Sequence, residues 1–348
     1  MNELIIEKRG ALGIISLNRT SALNSLSIDM IRGLAITLEK WSLDDDIRAV
    51  FIRGEGEKAF CAGGDVKAFY RAGMEYRRGN ISLETAMLFF REEYELNSKI
   101  FHYPKPIIAY MNGITMGGGF GIAGHCKYRI ASEKTVFAMP ECRIGFFPDV
   151  GSMYHLSRLK YNLGKFLAIT GVSLGPEDMI YAGLAESLVH EKNEESLINR
   201  VQEALGDFDG EANQISTVIE GLAENVIPSK LEEITPEISE LFQAGSLSII
   251  LDQISRYKGG RAEEIKGAVQ YNSPLSMAIS LRYYEFAQNA SFEEIIAMDN
   301  KLARNFAKGR DFYEGVKALL INKTGKPVWD FKDAGEITEP FVNAYFDE

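Results

Sequence analysis

A strand, a glycine-rich loop and a helix follow one another across Arg48–Tyr70, and the same order returns across Ile107–His125. Each such unit leaves an apolar face uncovered, so the units stack into a shared core and point to an α/β architecture. In the first, Arg48–Arg53 reads as a strand ending at Gly54, and Cys61-Ala62-Gly63-Gly64-Asp65 leads into a helix from about Val66. In the second, Pro106–Met111 reads as a buried strand. Met116-Gly117-Gly118-Gly119-Phe120-Gly121 then leads into a short helix ending near His125. Glycine at these joints supplies positive φ or close approach. A backbone N–H left free where a helix begins attracts negative charge.

Leu4–Lys8 and Leu12–Asn18 read as strands around the turn residue Gly10. Ile31, Leu34, Ala35 and Leu38 recur at helical spacing within Ser27–Trp41, with Ser27 as N-cap. Leu83–Phe101 reads as one helix with an apolar stripe of Met87, Phe90, Tyr94 and Phe101, ended by Pro104 and Pro106. Tyr128–Ala131 and Val136–Ala138 are further strands. After about Ala182 helices separated by polar loops take over, with Gly206–Gly210 and Gly259–Gly260 as joints. Ser273–Asn289 and Ser291–Ala307 are helical, Ser273 and Pro274 forming an N-cap and first-turn pair. The expected division is a core carrying the active site over residues 1–205 and a mainly helical region over 206–348.

With 348 residues, 46% of them hydrophobic, the chain can bury a large core. A formal net charge of −11 disfavours nucleic acid and anionic membranes as partners, while leaving room for a local basic patch. Cys61, Cys126 and Cys142 form no CxxC pair, which argues for a reducing compartment and against a disulfide framework or zinc site. No uncharged apolar run approaches ~18 residues, so no membrane span is expected. The opening residues MNELIIEKRG mix charges of both signs and read as a strand rather than a secretory leader. The expected location is the cytoplasm.

Beyond the second glycine loop come Met139-Pro140-Glu141 and then Phe147-Pro148-Asp149. Carboxylates on proline-stiffened turns, together with backbone donors for an oxyanion, are the equipment of acyl chemistry. Apolar residues flank Glu141 on both sides, which raises a carboxyl's pKa and suits a general acid or base near neutral pH. Asp149 reads either as the N-cap of a helix over Val150–Leu156 or as a working carboxylate. Glu93 shares a helix side with Phe89 and Phe90. Asp65 reads as a helix cap that leaves the Gly64 N–H for a ligand. Gly119–Gly124 matches G-x-G-x-x-G, but only His125, Cys126 and Lys127 separate it from the next strand. Dinucleotide binding needs a crossover helix in that gap. Cys61 reads as a buried, inert thiol, and His102, His125, His155 and His190 show no ligand spacing.

Several spaced motifs resemble the crotonase (enoyl-CoA hydratase/isomerase) superfamily: Ser21–Leu26, Phe60–Asp65, Asn112–Gly119 and Ala182-Gly183-Leu184. Within it, Arg91–Tyr94, Phe137–Glu141, Gly145–Gly151 and Gly309–Val316 resemble the 3-hydroxyisobutyryl-CoA hydrolases. The resemblance runs to about Trp329 and is thinnest between Asn193 and Gln270. It implies a crotonase-type spiral of ββα units with a helical C-terminal region. It also implies an acyl-CoA substrate whose thioester oxygen meets the N–H groups of Gly64 and Gly118. Ala22, Ala62, Asp65 and Val66 fall where the family contacts CoA, and Glu93, Glu141 and Asp149 fall on the hydrolase-type acidic positions.

Hydratases of the superfamily use a second glutamate shortly after the glycine run, and Gly121 stands there instead. Hydration of a double bond needs a paired acid and base, so the replacement favours thioester hydrolysis. The expected activity is hydrolysis of a short-chain 3-hydroxyacyl-CoA. An enoyl-CoA hydratase/isomerase and a non-catalytic acyl-CoA-binding subunit are the alternatives. No metal and no cofactor beyond the substrate's own coenzyme A is implied, and a homo-oligomer is consistent with the superfamily.

Overall fold

The buried runs Ala49–Gly54 and Ile107–Met111 lie side by side as parallel strands, the pairing that suits strands covered on both faces. The computed structural model describes residues 2–206, 213–225 and 228–347. The chain runs through β1 (Leu4–Arg9), β2 (Leu12–Leu17), α1 (Ile28–Ser42), β3 (Ala49–Gly54), β4 (Ala59–Cys61), α2 (Val66–Arg77), α3 (Leu83–Ala86) and α4 (Leu88–Phe101). Then follow β5 (Ile107–Met111), β6 (Ile114–Met116), α5 (Gly118–Ala123), β7 (Tyr128–Ala131), β8 (Val136–Ala138), α6 (Ser152–Leu156), α7 (Leu163–Thr170), α8 (Pro176–Ala182) and β9 (Ser187–Leu188). After these come α9 (Glu194–Gly206), α10 (Asn213–Glu220), α11 (Lys230–Leu241), α12 (Leu247–Arg256) and α13 (Ala262–Gln270). The last are α14 (Pro274–Ala287), α15 (Phe292–Lys308), α16 (Asp311–Val316) and α17 (Glu339–Asn343).

Two compact units result, each built from three segments. The first comprises Met1–Gly64, Glu95–Phe137 and Leu174–Lys230; the second comprises Asp65–Tyr94, Ala138–Ser173 and Leu231–Glu348. Apart from Ala138, the first unit holds both sheets. One has strand order β1-β2-β3-β5-β7-β9, the other β4-β6-β8. β1 pairs antiparallel with β2 through the Gly10 turn (φ +57°), and the later neighbours in the large sheet are parallel. Phe51, Ile108, Tyr110 and Ile130 pack against Leu197, Ile198 and Val201 of α9 and Ile215 and Ile219 of α10. Each fully buried side chain of this kind contributes roughly 1.5–3 kcal/mol. Ser27 caps α1, its Oγ accepting the Met30 N–H at 3.1 Å.

The expected echo is present as two ββα units, β3-β4-α2 and β5-β6-α5. The short strands β4 and β6 were not expected; they pair through Ala59↔Ile114 and Cys61↔Thr115. The single helix expected over Leu83–Phe101 is broken at Met87, which closes α3 by donating its N–H to Leu83 and Thr85. The apolar spacing runs straight through that residue and so hides the break. Gly259–Gly260 separates α12 from α13 as expected. Of the other expected joint, Gly206 ends α9 and the rest lies outside the described residues.

The second unit is helical around an aromatic centre. Phe90 stacks on Phe146 at 5.2 Å, Phe69 meets Phe90 at 4.4 Å and Phe312 at 4.9 Å, and Phe306 meets Phe146 at 5.3 Å. Such ring pairs add about 0.5–1.5 kcal/mol beyond area burial. α14 starts at Pro274 with Ser273 capping, and α15 starts with a capping box between Ser291 and Glu294.

Candidate active site

In the first unit the two glycine loops lie against each other. A Cβ placed on Gly63 (φ +114°) would stand 3.5 Å from the Met116 carbonyl oxygen and 3.9 Å from the Gly118 nitrogen. A Cβ on Gly119 would stand 2.0 Å from the Cys61 carbonyl oxygen, so no side chain fits there. Gly118 is the first residue of α5, and a residue in that position has no carbonyl partner within its own helix. The Ala62 N–H donates to Leu23 at 3.0 Å and the Leu26 N–H to Gly63 at 2.8 Å. These bonds seat the turn containing Ala22 on the first glycine loop. Buried Asn24 holds that turn by donating from Nδ2 to the Ala59 and Glu55 carbonyls. Ala22, Ala62, Gly64 and Gly118 therefore occupy one region of the first unit. Asp65 caps α2 as expected, accepting the Ala68 N–H at 3.0 Å, and Val66 opens that helix.

In the second unit Glu93, Glu141 and Asp149 come together. Glu93 stands on α4 and is 2% exposed; Glu141 opens a tight turn after Pro140 and is 7% exposed; Asp149 is 5% exposed. Among the described residues, Glu93 Oε1 and Glu141 Oε2 are buried without a hydrogen-bond partner. Asp149 Oδ2 accepts the Tyr94 hydroxyl at 2.6 Å. Asp149 is thus not a helix cap: Gly151 stands at the cap of α6, and Asp149 meets that helix through its main-chain carbonyl, which accepts the Ser152 N–H. The following Val150 and Gly151 both lie at positive φ, +55° and +72°. For a β-branched residue such a conformation costs on the order of 1–3 kcal/mol.

Burial pushes the Asp149 carboxyl up to about 7, against the lowering effect of the Tyr94 hydrogen bond. Burial also holds Glu141 well above the usual carboxylate range, and proximity to Asp149 and Glu93 adds to it. Glu93 is raised for the same first reason, then by Asp149 and Asp299. A carboxyl raised to about 7, as Asp149 is, exchanges its proton near neutral pH, as a general acid or base must. Among the described residues no group of three His, Cys, Asp or Glu is arranged to hold a metal ion. The three cysteines are buried thiols, with Cys142 pushed up to about 12 chiefly by burial.

Residues 12–346 match the family model described as enoyl-CoA hydratase/isomerase. The chain belongs to that family. Relatives named 3-hydroxyisobutyryl-CoA hydrolase, mitochondrial, include one from Danio rerio at 40% identity, covering 99% of this chain and 89% of that protein. The Homo sapiens protein of that name is 38% identical over 99% of this chain and 88% of its own length. Among solved structures, a carnitinyl-CoA dehydratase from Mycobacterium thermoresistibile aligns at TM-score 0.90 with 31% identity, covering 100% of this chain and 97% of that one. An enoyl-CoA hydratase from Rhodobacter sphaeroides aligns at 0.89, also with 31% identity, covering 99% and 97%. The expected crotonase fold, with its helical C-terminal region, is the fold observed.

Against that enoyl-CoA hydratase/isomerase background, Gly121 is buried inside α5 and its carbonyl accepts Asn97 Nδ2 at 2.9 Å. Position 121 thus offers no carboxylate, and its only polar atoms are main-chain ones. Three further residues adjoin these carboxyls: Tyr94, Tyr283 and Asp299. The apolar spacing of α4 gives no sign of the hydrogen bond that Tyr94 makes. Asp299 carried a usable signal, since it lies on the stripe of Ile295, Leu302 and Phe306, where a carboxylate has no place without a partner.

Proposed function

We propose that this chain hydrolyses 3-hydroxyisobutyryl-CoA, adding water across the thioester to give 3-hydroxyisobutyrate and free coenzyme A. One observation carries the reading: Glu141 presents a buried, unpartnered carboxylate oxygen beside two further buried carboxyls, Glu93 and Asp149. Relatives bearing the hydrolase name over nearly the whole chain support it, and so does glycine at position 121. In this proposal the N–H groups of Gly64 and Gly118 donate to the thioester oxygen as it becomes an oxyanion. Such a donor is worth roughly 2.7–4 kcal/mol in known sites. Glu141 brings the attacking oxygen, its own or that of a water it deprotonates. Asp149 takes up the substrate hydroxyl or returns the proton to the departing thiolate, and Glu93 supports it. Ala22, Ala62, Asp65 and Val66 contact the coenzyme A portion.

The test is thiol release from 3-hydroxyisobutyryl-CoA. Glu141→Ala is expected to lose about 10²–10⁴-fold in kcat while coenzyme A still binds, as read by calorimetry. Unchanged turnover in that variant removes Glu141 from the mechanism. An acyl-CoA-binding subunit without turnover is the reading to adopt if the wild type binds the ester and releases no thiol.

Cytoplasmic residence also belongs to this proposal. No helix among the described residues is long and apolar enough to cross a membrane, and the relatives above are mitochondrial by name. Cell fractionation against compartment markers decides it. Self-association into a homo-oligomer is checked by sedimentation.

A further inference from the structure

The loop that aims Asp149 is tied to a fourth carboxyl. Asp299, on α15, has no solvent exposure. Its Oδ2 accepts the Gly151 N–H at 2.7 Å, and its Oδ1 lies 2.7 Å from the Tyr283 hydroxyl of α14. The same hydroxyl lies 2.9 Å from the Ile295 carbonyl oxygen. A phenol carries one hydrogen. Were Asp299 ionised, that hydrogen would go to Asp299 and leave the Tyr283 oxygen facing the Ile295 carbonyl with no proton between them. With a proton on Asp299 Oδ1 every contact is made. Asp299 donates to the Tyr283 oxygen, Tyr283 donates to Ile295, and Asp299 Oδ2 still accepts from Gly151.

We propose that Asp299 is a positioning residue that works as a neutral acid, clamping the left-handed Val150–Gly151 turn so that Asp149 keeps its place beside Tyr94. A neutral clamp holds the turn without setting another negative charge beside the catalytic carboxyls. The titratable groups facing Asp299 are Asp149 from the loop before α6, Glu93 and Tyr94 from α4, and Tyr283 from α14. Burial and the neighbouring Asp149 both push the Asp299 carboxyl upward, in agreement with the hydrogen count. The inference rests on the hydrolase reading only for the role of Asp149.

Asp299→Asn keeps an acceptor for Gly151 and a donor for Tyr283, so its kcat is expected to stay within about threefold of the wild type. The acid limb of its pH–rate profile should not move. Asp299→Leu leaves the Gly151 N–H buried and unpaired; with the fold checked by circular dichroism, its kcat should fall about tenfold to a hundredfold, with KM little changed. An ionised Asp299 predicts otherwise, because removing its charge in Asp299→Asn would shift the acid limb to lower pH, and that shift overturns the proposal. An infrared difference spectrum between the wild type and Asp299→Asn at mildly alkaline pH is independent of turnover. A protonated-carboxyl carbonyl band is expected, and carboxylate bands alone overturn the neutral form. Should the wild type release no thiol, the functional reading falls while the infrared result still decides Asp299.

Discussion

At the scale of single residues the site is a place where stability has been given up. Asp149 ionises near 3.8 in an unfolded chain and at about 7 here. The folded state therefore binds the proton more tightly across that window. Stability from this group is highest below 3.8 and is lost as pH rises toward 7. Asp149→Asn removes the ionisation and keeps an acceptor for Tyr94. It should raise unfolding stability above neutral pH by on the order of 4 kcal/mol while abolishing most activity. Urea titrations at several pH values check this, and a gain that does not grow between 3.8 and 7 contradicts the assignment. Legibility at this scale followed chemistry. Glu141 could be found because a proline and aromatic neighbours announce a stiff, dry carboxylate. Asp149 stayed ambiguous, since a carboxylate after proline and before a short helix fits a cap equally well. Its true partner, Tyr94, is distant in sequence and carries no polar signature within an apolar stripe.

At the scale of elements the glycine loops are set by what they touch. α5 begins where β6 ends, and β6 pairs with β4, so the starts of α5 and of the first glycine loop share one register. Gly119 makes this possible, because a Cβ would meet the Cys61 carbonyl oxygen at 2.0 Å and backbone cannot swing aside. Gly119→Ala is expected to lower the melting temperature through an overpacking cost of about 1–3 kcal/mol. It should also lower thiol release as the Gly118 amide is displaced from the first loop. A variant with wild-type melting and wild-type kcat would show that the loops are not held in this register. The long parallel strands were legible because continuous apolar runs bounded by glycine and proline leave few alternatives. β4 and β6 were not, since three residues are too few for a period and their pairing is a tertiary fact. The break between α3 and α4 was invisible for the opposite reason, a stripe that continues across it.

At the scale of the whole molecule, backbone similarity does not choose the reaction. Relatives spanning nearly the full chain are named hydrolases, and solved structures superposing at 0.90 and 0.89 are named dehydratase and hydratase. A shared scaffold with different chemistry is the ordinary case, so the choice falls to side chains at the site. Adding water to a conjugated double bond requires an acid and a base working together on adjacent carbons. Here α5 is buried throughout, and Gly121, two residues after the glycine run, is bonded through its carbonyl to Asn97. The carboxyls that remain, Glu93, Glu141 and Asp149, all belong to the second unit. Crotonyl-CoA incubated with the enzyme should therefore keep its conjugated-thioester absorbance, with hydration at least about 10²-fold slower than thiol release from 3-hydroxyisobutyryl-CoA. Both signals can be followed in one cuvette with a thiol reagent. Absorbance loss without thiol would place the chain with the hydratases, and it would mean that the Glu93–Glu141–Asp149 group supplies both the acid and the base of hydration.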